Sequence, residues 1–269
     1  MRAGPGRGAP ARGAPFLTAA VAMCYRQVRC FLRMRSRVIM SMARPFMWLF
    51  FFGVGWGMAF RGQVARQLLG ASFLEFMASG VVMMSVFFTS FFAGTSVIWD
   101  REFGFLKETL VAPASRNAII LGRVLGDSLV ALLQGVITFA VACLLIGRVS
   151  WPGVPVVLAA MLLTALVHAS LGTAIGSLVG SVEAFQLIHV TVAMPMMFLS
   201  GAVVPIHMGP TWLRLLALAV PLTYGVDATR SAVCGLSMLP TWLDLAVLAS
   251  LALVLLPLAA RAFSRSAIA

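Results

Sequence analysis

Residues 76–99 read FMASGVVMMSVFFTSFFAGTSVIW, and none of these 24 side chains carries a charge. A helix needs about 20 apolar residues to cross the hydrocarbon core of a bilayer, so this stretch is long enough to span a membrane. In a water-soluble domain, a helix of this composition would have no polar face to present to solvent. The stretch therefore predicts a transmembrane helix.

Five further stretches have the same apolar character and comparable length. The whole chain is 61% hydrophobic and only 10% charged, whereas a soluble domain carries about a quarter charged residues to wet its surface. We therefore predict an all-α integral membrane protein with six transmembrane helices in residues 38–269. The predicted spans are, in chain order, 38–60, 76–99, 125–147, 154–180, 184–206 and 242–262.

The basic residues are distributed unevenly around these spans. Fifteen of the twenty lie in the N-terminal region, in the second connection between spans and at the C-terminal end. By the positive-inside rule, both termini are predicted to be cytoplasmic. The formal net charge of +12 then indicates contact with anionic membrane lipid in a bacterial inner membrane, and not nucleic-acid binding.

The region before the first span has two parts. Residues 1–15 are rich in Gly, Ala, Pro and Arg, a composition that predicts a disordered tail. Residues 16–37 have apolar side chains at helical spacing with arginines between them. This pattern predicts an amphipathic helix in the membrane interface, and a cytoplasmic extension of the first span is the alternative.

Residues 205–230 lie between the last two spans and are moderately apolar. Pro205, Pro210, Pro221 and Gly225 interrupt this stretch, so it is too broken for a clean span. We predict a short external or re-entrant helical segment.

The connection between the second and third spans reads WDREFGFLKETLVAPASR, from Trp99 to Arg116. It mixes acidic and basic side chains with an apolar face, and Pro113 is expected to stop its helix before Asn117 caps the next one. An amphipathic helix of this kind, held at the membrane surface, fits a groove of a soluble partner. The alternative is a solvated loop that only satisfies the positive-inside rule.

A few polar or small residues inside the spans also need an interpretation. His168 and His189 fall within the fourth and fifth spans; they are candidates for a substrate path, although a neutral histidine bonded to a backbone carbonyl is the favoured interpretation. Gly172, Gly176 and Gly180 are spaced by four and predict a close helix–helix contact. Same-face ion pairs are expected between Arg123 and Asp127 and between Asp227 and Arg230.

The stretch WDREFGFLKETLVAPASRNAIILGRVLGD resembles the first cytoplasmic loop and third span of type 2 ABC transporter permeases, a family that includes drug-resistance and polysaccharide or lipo-oligosaccharide exporters. The first-span sequence RPFMWLFFFGVGW is similar to the family's proline-containing first helix. LSGAVVPIHMGPTWLRLLALAVPLTYGVDATR resembles the segment before the family's last span. The similarity extends over nearly the whole chain from residue 16 onward.

The resemblance implies an ATP-driven exporter of a lipophilic drug, lipid or glycan. Two permease subunits would pair as a homodimer, residues 16–37 would form the elbow helix, and loop 100–116 would carry the coupling helix that enters the cleft of a separate cytoplasmic ATPase. No Walker A pattern occurs in the sequence, so ATP and Mg would be bound by that ATPase and no cofactor by this chain. The predicted coupling residues are Arg101, Glu102, Phe103, Gly104, Phe105, Leu106, Lys107, Glu108, Leu110, Pro113 and Arg116.

Two other functional classes compete with this interpretation. An ATP-independent secondary transporter or channel usually carries charged residues within its spans or paired broken helices, and neither is clear in this sequence. An intramembrane enzyme is disfavoured because HExxH, GxSxG and paired membrane aspartates are missing. The four cysteines show no CxxC spacing, so no metal site is expected. No catalytic residues are predicted, because those enzyme motifs are missing.

Overall fold

The computed structural model describes residues 15–57, 69–104, 115–147 and 151–266, although not the side chains of Arg35, Arg37, His207 and Ser266. These residues form ten α-helices with short 3₁₀ turns, and they contain no β-strand. The helices are α1 Phe16–Arg33, α2 Arg35–Met47, α3 Phe73–Phe92, α4 Thr95–Glu102, α5 Arg116–Ile146, α6 Val154–Leu178, α7 Val182–Leu199, α8 Thr211–Leu218, α9 Pro221–Cys234 and α10 Thr241–Ser266.

Six helical stretches are long and apolar enough to cross a membrane, which confirms the predicted fold class. The first span continues from α2 into a π-helical segment, Trp48–Trp56, that begins three residues after Pro45. The second span joins α3 to α4 through a kink at Ala93–Gly94. The six stretches are Val38–Trp56, Phe73–Glu102, Arg116–Ile146, Trp151–Leu178, Val182–Leu199 and Thr241–Arg265.

The predicted single helix over residues 16–37 is divided in two. Helix α1 ends at Arg33, and Met34 leaves the helical conformation with φ −88° and ψ 79° before α2 begins. No proline or glycine marks this break, so the sequence pattern does not show it. The exposed side of α1 carries Leu17, Val21 and Leu32, which leaves an apolar face directed away from the rest of the chain.

Helix α3 is the centre of the bundle, because most of its length is buried against α5, α6 and α9. The opposite side of α1 lies along α5, where a Cβ atom on Gly122 or Gly126 would collide with α1. Phe263, near the end of α10, packs with Ile120 of α5. Both α1 and the end of α10 therefore lie at the end of the bundle where α4 stops and α5 starts, here called the loop end. The prediction of two termini on one side requires such an arrangement.

The close contact predicted for the fourth span lies within the subunit. Gly172 and Gly176 of α6 pack directly on the backbone of α3 at Phe91 and on Gly94 at the kink. The third predicted member, Gly180, has no neighbouring atom within 4 Å of an added Cβ. Small residues allow the two backbones to approach at this crossing, and α6 ends before it can use Gly180 in the same way.

Residues 205–230 do not form a span. They contain a 3₁₀ turn at Ile206–Met208, the short α8 and most of α9, whose inner side is buried.

The predicted ion pair between Asp227 and Arg230 is not among the salt bridges of the described residues. Each of the two side chains contacts other groups instead. The Arg230 guanidinium lies 3.9 Å from the centroid of the Phe76 ring and donates to the Gly201 carbonyl. The Asp227 carboxylate accepts from the backbone N–H groups that follow α9. Burial raises the pKa of the Asp227 carboxyl, while these N–H groups and Arg230 oppose that shift.

Candidate functional site

The predicted coupling loop begins beside an ionic cluster that joins three helices. Asp100, in the last turn of α4, accepts from Arg123 of α5 at 2.8 Å and lies 3.5 Å from Arg26 of α1. Arg123 is 2% exposed and Asp100 16% exposed. A buried arginine needs a charged or hydrogen-bonding partner to offset its desolvation. Arg123 meets this need with Asp100 and by donating to the Ser96 hydroxyl at 2.8 Å.

Arg101 attaches the same region to a fourth helix. Its guanidinium donates to the carbonyls of Gly176 and Val179 at the C-terminal end of α6. The last carbonyls of a helix lack partners within that helix, and a basic side chain placed there satisfies them. We call Arg26, Ser96, Asp100, Arg101 and Arg123 together the loop base.

The predicted coupling residues are placed as follows. Arg101 is occupied within the loop base, whereas Glu102 and Phe103 are exposed, Phe103 by 72%. Gly104 has φ +78°, a left-handed conformation that favours glycine, so the chain turns sharply after α4. Arg116 is exposed at the start of α5. Phe105, Leu106, Lys107, Glu108, Leu110 and Pro113 lie outside the described residues.

Two local predictions at the start of α5 are wrong. Ser115, and not Asn117, is the N-cap, because the Ser115 hydroxyl accepts from the Ala118 N–H. Arg123 pairs with Asp100 on another helix, where the four-residue spacing had predicted a pair with Asp127. Arg123 reaches from α5 to Asp100 and Ser96 of α4 at the loop end, a contact that residue spacing along one helix cannot show.

A cavity of about 680 Å³ lies next to the loop base. Its walls come from α1, α2 with its π-helical continuation, α3, the start of α4, α5 and α7. Gln134 of α5 joins two of these walls: its amide donates to the Ser41 carbonyl at 2.7 Å and accepts from the Thr89 hydroxyl at 2.8 Å. We call this space the central cavity. Ser96 lines it and also belongs to the loop base.

The lining of the central cavity changes along its length. Gln27, Ser96 and Asp127 lie at the loop end, and apart from Ser85 the side chains that line the other end are apolar. This gradient follows from chain direction, because α2 and α7 run away from the loop end and α3 runs toward it. The apolar lining includes Trp48, Val81, Met84, Ala193, Met194 and Met197.

The two membrane histidines have different surroundings. His168 is fully buried, and its Nδ1 lies 2.8 Å from the Thr164 carbonyl, which only accepts, so the ring carries its proton on Nδ1. This geometry supports a structural role. His189 lines the central cavity among the rings of Phe88, Phe91, Phe92 and Phe185. Sequence alone could not separate the two, because both lie in apolar spans.

Sequence reasoning missed several residues of this region. Arg26 counted only as one of the arginines on the polar side of the 16–37 helix, and Gln134 is a single polar residue within an apolar span. Arg44 counted only as a basic residue near the cytoplasmic end of the first span, although it lines the central cavity. In the part of the chain that the structure describes, no group of three or more His, Cys, Asp or Glu side chains could hold a metal ion.

Comparison of the sequence with known proteins identifies its family. The sequence model described as ABC-2 type transporter matches residues 18–234. The transport permease ycf38 of Porphyra purpurea is 32% identical over 209 residues, which cover 75% of this chain and 70% of that protein. Nodulation protein J of Rhizobium meliloti (strain 1021) is 27% identical over 221 residues, which cover 81% of this chain and 82% of that protein.

The matched region includes the loop base and every wall of the central cavity. Permeases of this family generally work with an ATP-binding subunit, and a bacterial inner-membrane location is consistent with relatives such as the rhizobial protein. The chain therefore belongs to the ABC-2 type transporter family and is a multi-pass membrane permease, not an enzyme.

Proposed function

We propose that this chain is the membrane subunit of an exporter driven by a separate ATPase, which binds ATP and Mg and docks on loop 100–116. The substrate would be an amphiphile, such as a lipophilic drug, a lipid or a lipid-linked glycan, that leaves the cytoplasm through the central cavity. The observation that carries this proposal is the loop base, which connects the predicted docking loop to the cavity wall through Ser96 and Arg123.

The physical requirement for coupling is an element that moves as a unit when the ATPase changes state. Helix α4 meets this requirement at its last turn. Asp100 ties it to α1 and α5, and Arg101 ties it to the end of α6. A displacement of Phe103 and the following loop would therefore be transmitted to several helices and to the wall of the central cavity.

A second copy of this chain would complete the path. Exposed apolar residues flank the central cavity on two elements: Phe50 and Phe51 on the π-helical segment, and Met194 and Phe198 on α7. Pairing of two subunits across this face would bury these side chains and enclose the cavity between them. The exposed apolar side of α1 would lie in lipid at the membrane interface.

Two substitutions in the loop test the docking surface. We expect Leu106→Asp and Glu108→Arg to reduce co-purification with the proposed partner ATPase by about tenfold or more. A charge placed in an apolar contact, or a reversed charge at its edge, removes the complementarity of the interface. The measurement is the amount of ATPase recovered with tagged permease from detergent-solubilised membranes.

Glu183→Arg is the matched control for the loop variants, because Glu183 is exposed at the loop end in the first turn of α7. This variant should bind the ATPase as the unmodified chain does. Equal recovery of the ATPase with all three variants would show that loop 100–116 is not the docking surface.

A further inference from the structure

Arg44 lies in an unusual place for an arginine. It is six residues beyond Val38, where the first span begins, which corresponds to about 9 Å of helix rise into the membrane. Its side chain lines the central cavity, and its guanidinium lies 5.3 Å from the centroid of the Phe88 ring. Ionisable side chains at this depth are rare and are usually functional.

Few of the hydrogen-bond donors of the Arg44 guanidinium are used by neighbouring charged groups. The salt bridges formed by the described residues involve Arg26, Arg123 and Asp100, and none involves Arg44. Asp127 and His189 also line the central cavity, Asp127 at the loop end. A cation–π contact uses the face of the guanidinium, while its five N–H donors lie in the guanidinium plane and can still bind an anion.

The rest of the cavity fits a molecule with two unlike ends. Polar side chains near Arg44 include Ser41, Thr89 and Gln134. Beyond Arg44, away from the loop end, Trp48, Met84 and Met197 form an apolar lining. Methionine side chains are flexible and adapt to varied apolar partners. A small inorganic anion would leave this apolar part of the cavity unfilled.

We propose that Arg44 binds the anionic head group of an amphiphile, whose apolar chain lies along Trp48, Met84 and Met197. The head group would be a phosphate, sulfate or carboxylate, because a planar guanidinium binds these oxygen pairs through two parallel hydrogen bonds. This inference rests on the proposed function only in taking the central cavity as the substrate path.

The experiment compares two lysolipids that carry the same fluorescent chain. One is lysophosphatidic acid, which is anionic, and the other is a monoacylglycerol, which is uncharged and has no phosphate. Their binding is measured on the full chain in phosphatidylcholine nanodiscs without ATPase. We expect Arg44→Gln to weaken binding of the anionic lysolipid by about tenfold or more, because the charge-assisted hydrogen bonds are lost. Arg44→Lys should show a smaller loss, since it keeps the charge without the fork of donors.

Arg29→Gln is the matched control, because Arg29 also lies over an aromatic ring, that of Tyr25, but is exposed outside the cavity. It should bind both lysolipids as the unmodified chain does. Retained binding of the uncharged lysolipid by Arg44→Gln shows that the variant is folded. Undiminished binding of the anionic lysolipid by Arg44→Gln and Arg44→Lys would overturn the proposal. Displacement of the anionic lysolipid by an equal concentration of inorganic phosphate would also overturn it, in favour of a free-anion site.

The binding assay contains no ATPase, so its result is independent of coupling. Loss of head-group discrimination together with intact ATP-driven transport would reject the substrate class and retain the proposed function. If the chain associates with no ATPase but Arg44 still favours the anionic lysolipid, the proposed function is rejected and the head-group site is retained.

Discussion

Arg123→Met is expected to lower the yield of folded permease severely and to abolish ATP-driven transport by the fraction that folds. Arg123 is 2% exposed and pairs with Asp100 at 2.8 Å. Removal of Arg123 leaves Asp100 with only the longer contact to Arg26 at 3.5 Å. Breaking a buried ion pair from one side destabilises a protein by up to about 3–5 kcal/mol. Because Asp100 also holds α4 against α1 and α5, the remaining protein would have a loosened loop base. The measurements are the monodisperse yield in detergent and transport with the partner ATPase.

A double variant separates folding from coupling in this test. Asp100→Asn combined with Arg123→Met removes both charges, so its folded yield should recover relative to the single variant, while transport stays impaired. Arg265→Met is the control, since it removes an exposed arginine from the last turn of α10 at the same end of the bundle. Normal yield and normal transport by Arg123→Met would show that the loop base has neither role.

Gly172→Val is expected to prevent assembly of the bundle. A Cβ atom at this position would overlap the backbone of α3 at Phe91, which cannot rotate away as a flexible side chain can. Overpacking of a core usually costs about 1–3 kcal/mol, and displacement of two helix backbones should place this variant at or above the upper end of that range. The crossing also fixes the kink at Gly94, which leads into α4 and the loop base.

The measurement for Gly172→Val is the temperature at which the purified permease loses monodispersity, together with its expression level. Gly180→Val serves as the matched control, because an added Cβ there has no neighbour within 4 Å. The control should behave like the unmodified chain. If Gly172→Val were as stable as Gly180→Val, the close α3–α6 crossing would not exist.

The spans were predictable because their length and apolar character are set by the bilayer, a constraint visible in any window of the sequence. The glycine face of α6 was predictable for a similar reason, since its four-residue spacing is a local pattern. The limit of that pattern appears at Gly180, which has the spacing but lies beyond the end of α6. Periodicity does not reveal where a helix stops when no proline follows.

The site was only partly predictable. The loop drew attention through its mixed charges, yet the roles of Asp100 and Arg101 depend on helices far away in the sequence. Arg101 reaches carbonyls at positions 176 and 179, and Asp100 reaches Arg26 and Arg123. Such contacts follow from how helices pack, and a single sequence contains no record of them. The same reason explains why Arg44 was counted as an interfacial charge, although it lines the cavity.

The central claim is that ATP hydrolysis by a separate subunit moves a substrate through this permease. The most direct test is transport of fluorescent lysophosphatidic acid in proteoliposomes that contain the permease and its proposed partner ATPase. We predict movement across the bilayer with ATP and Mg, none with ADP, and none when the ATPase cannot hydrolyse ATP. Equal movement with and without ATP would contradict the account and identify an ATP-independent transporter or channel.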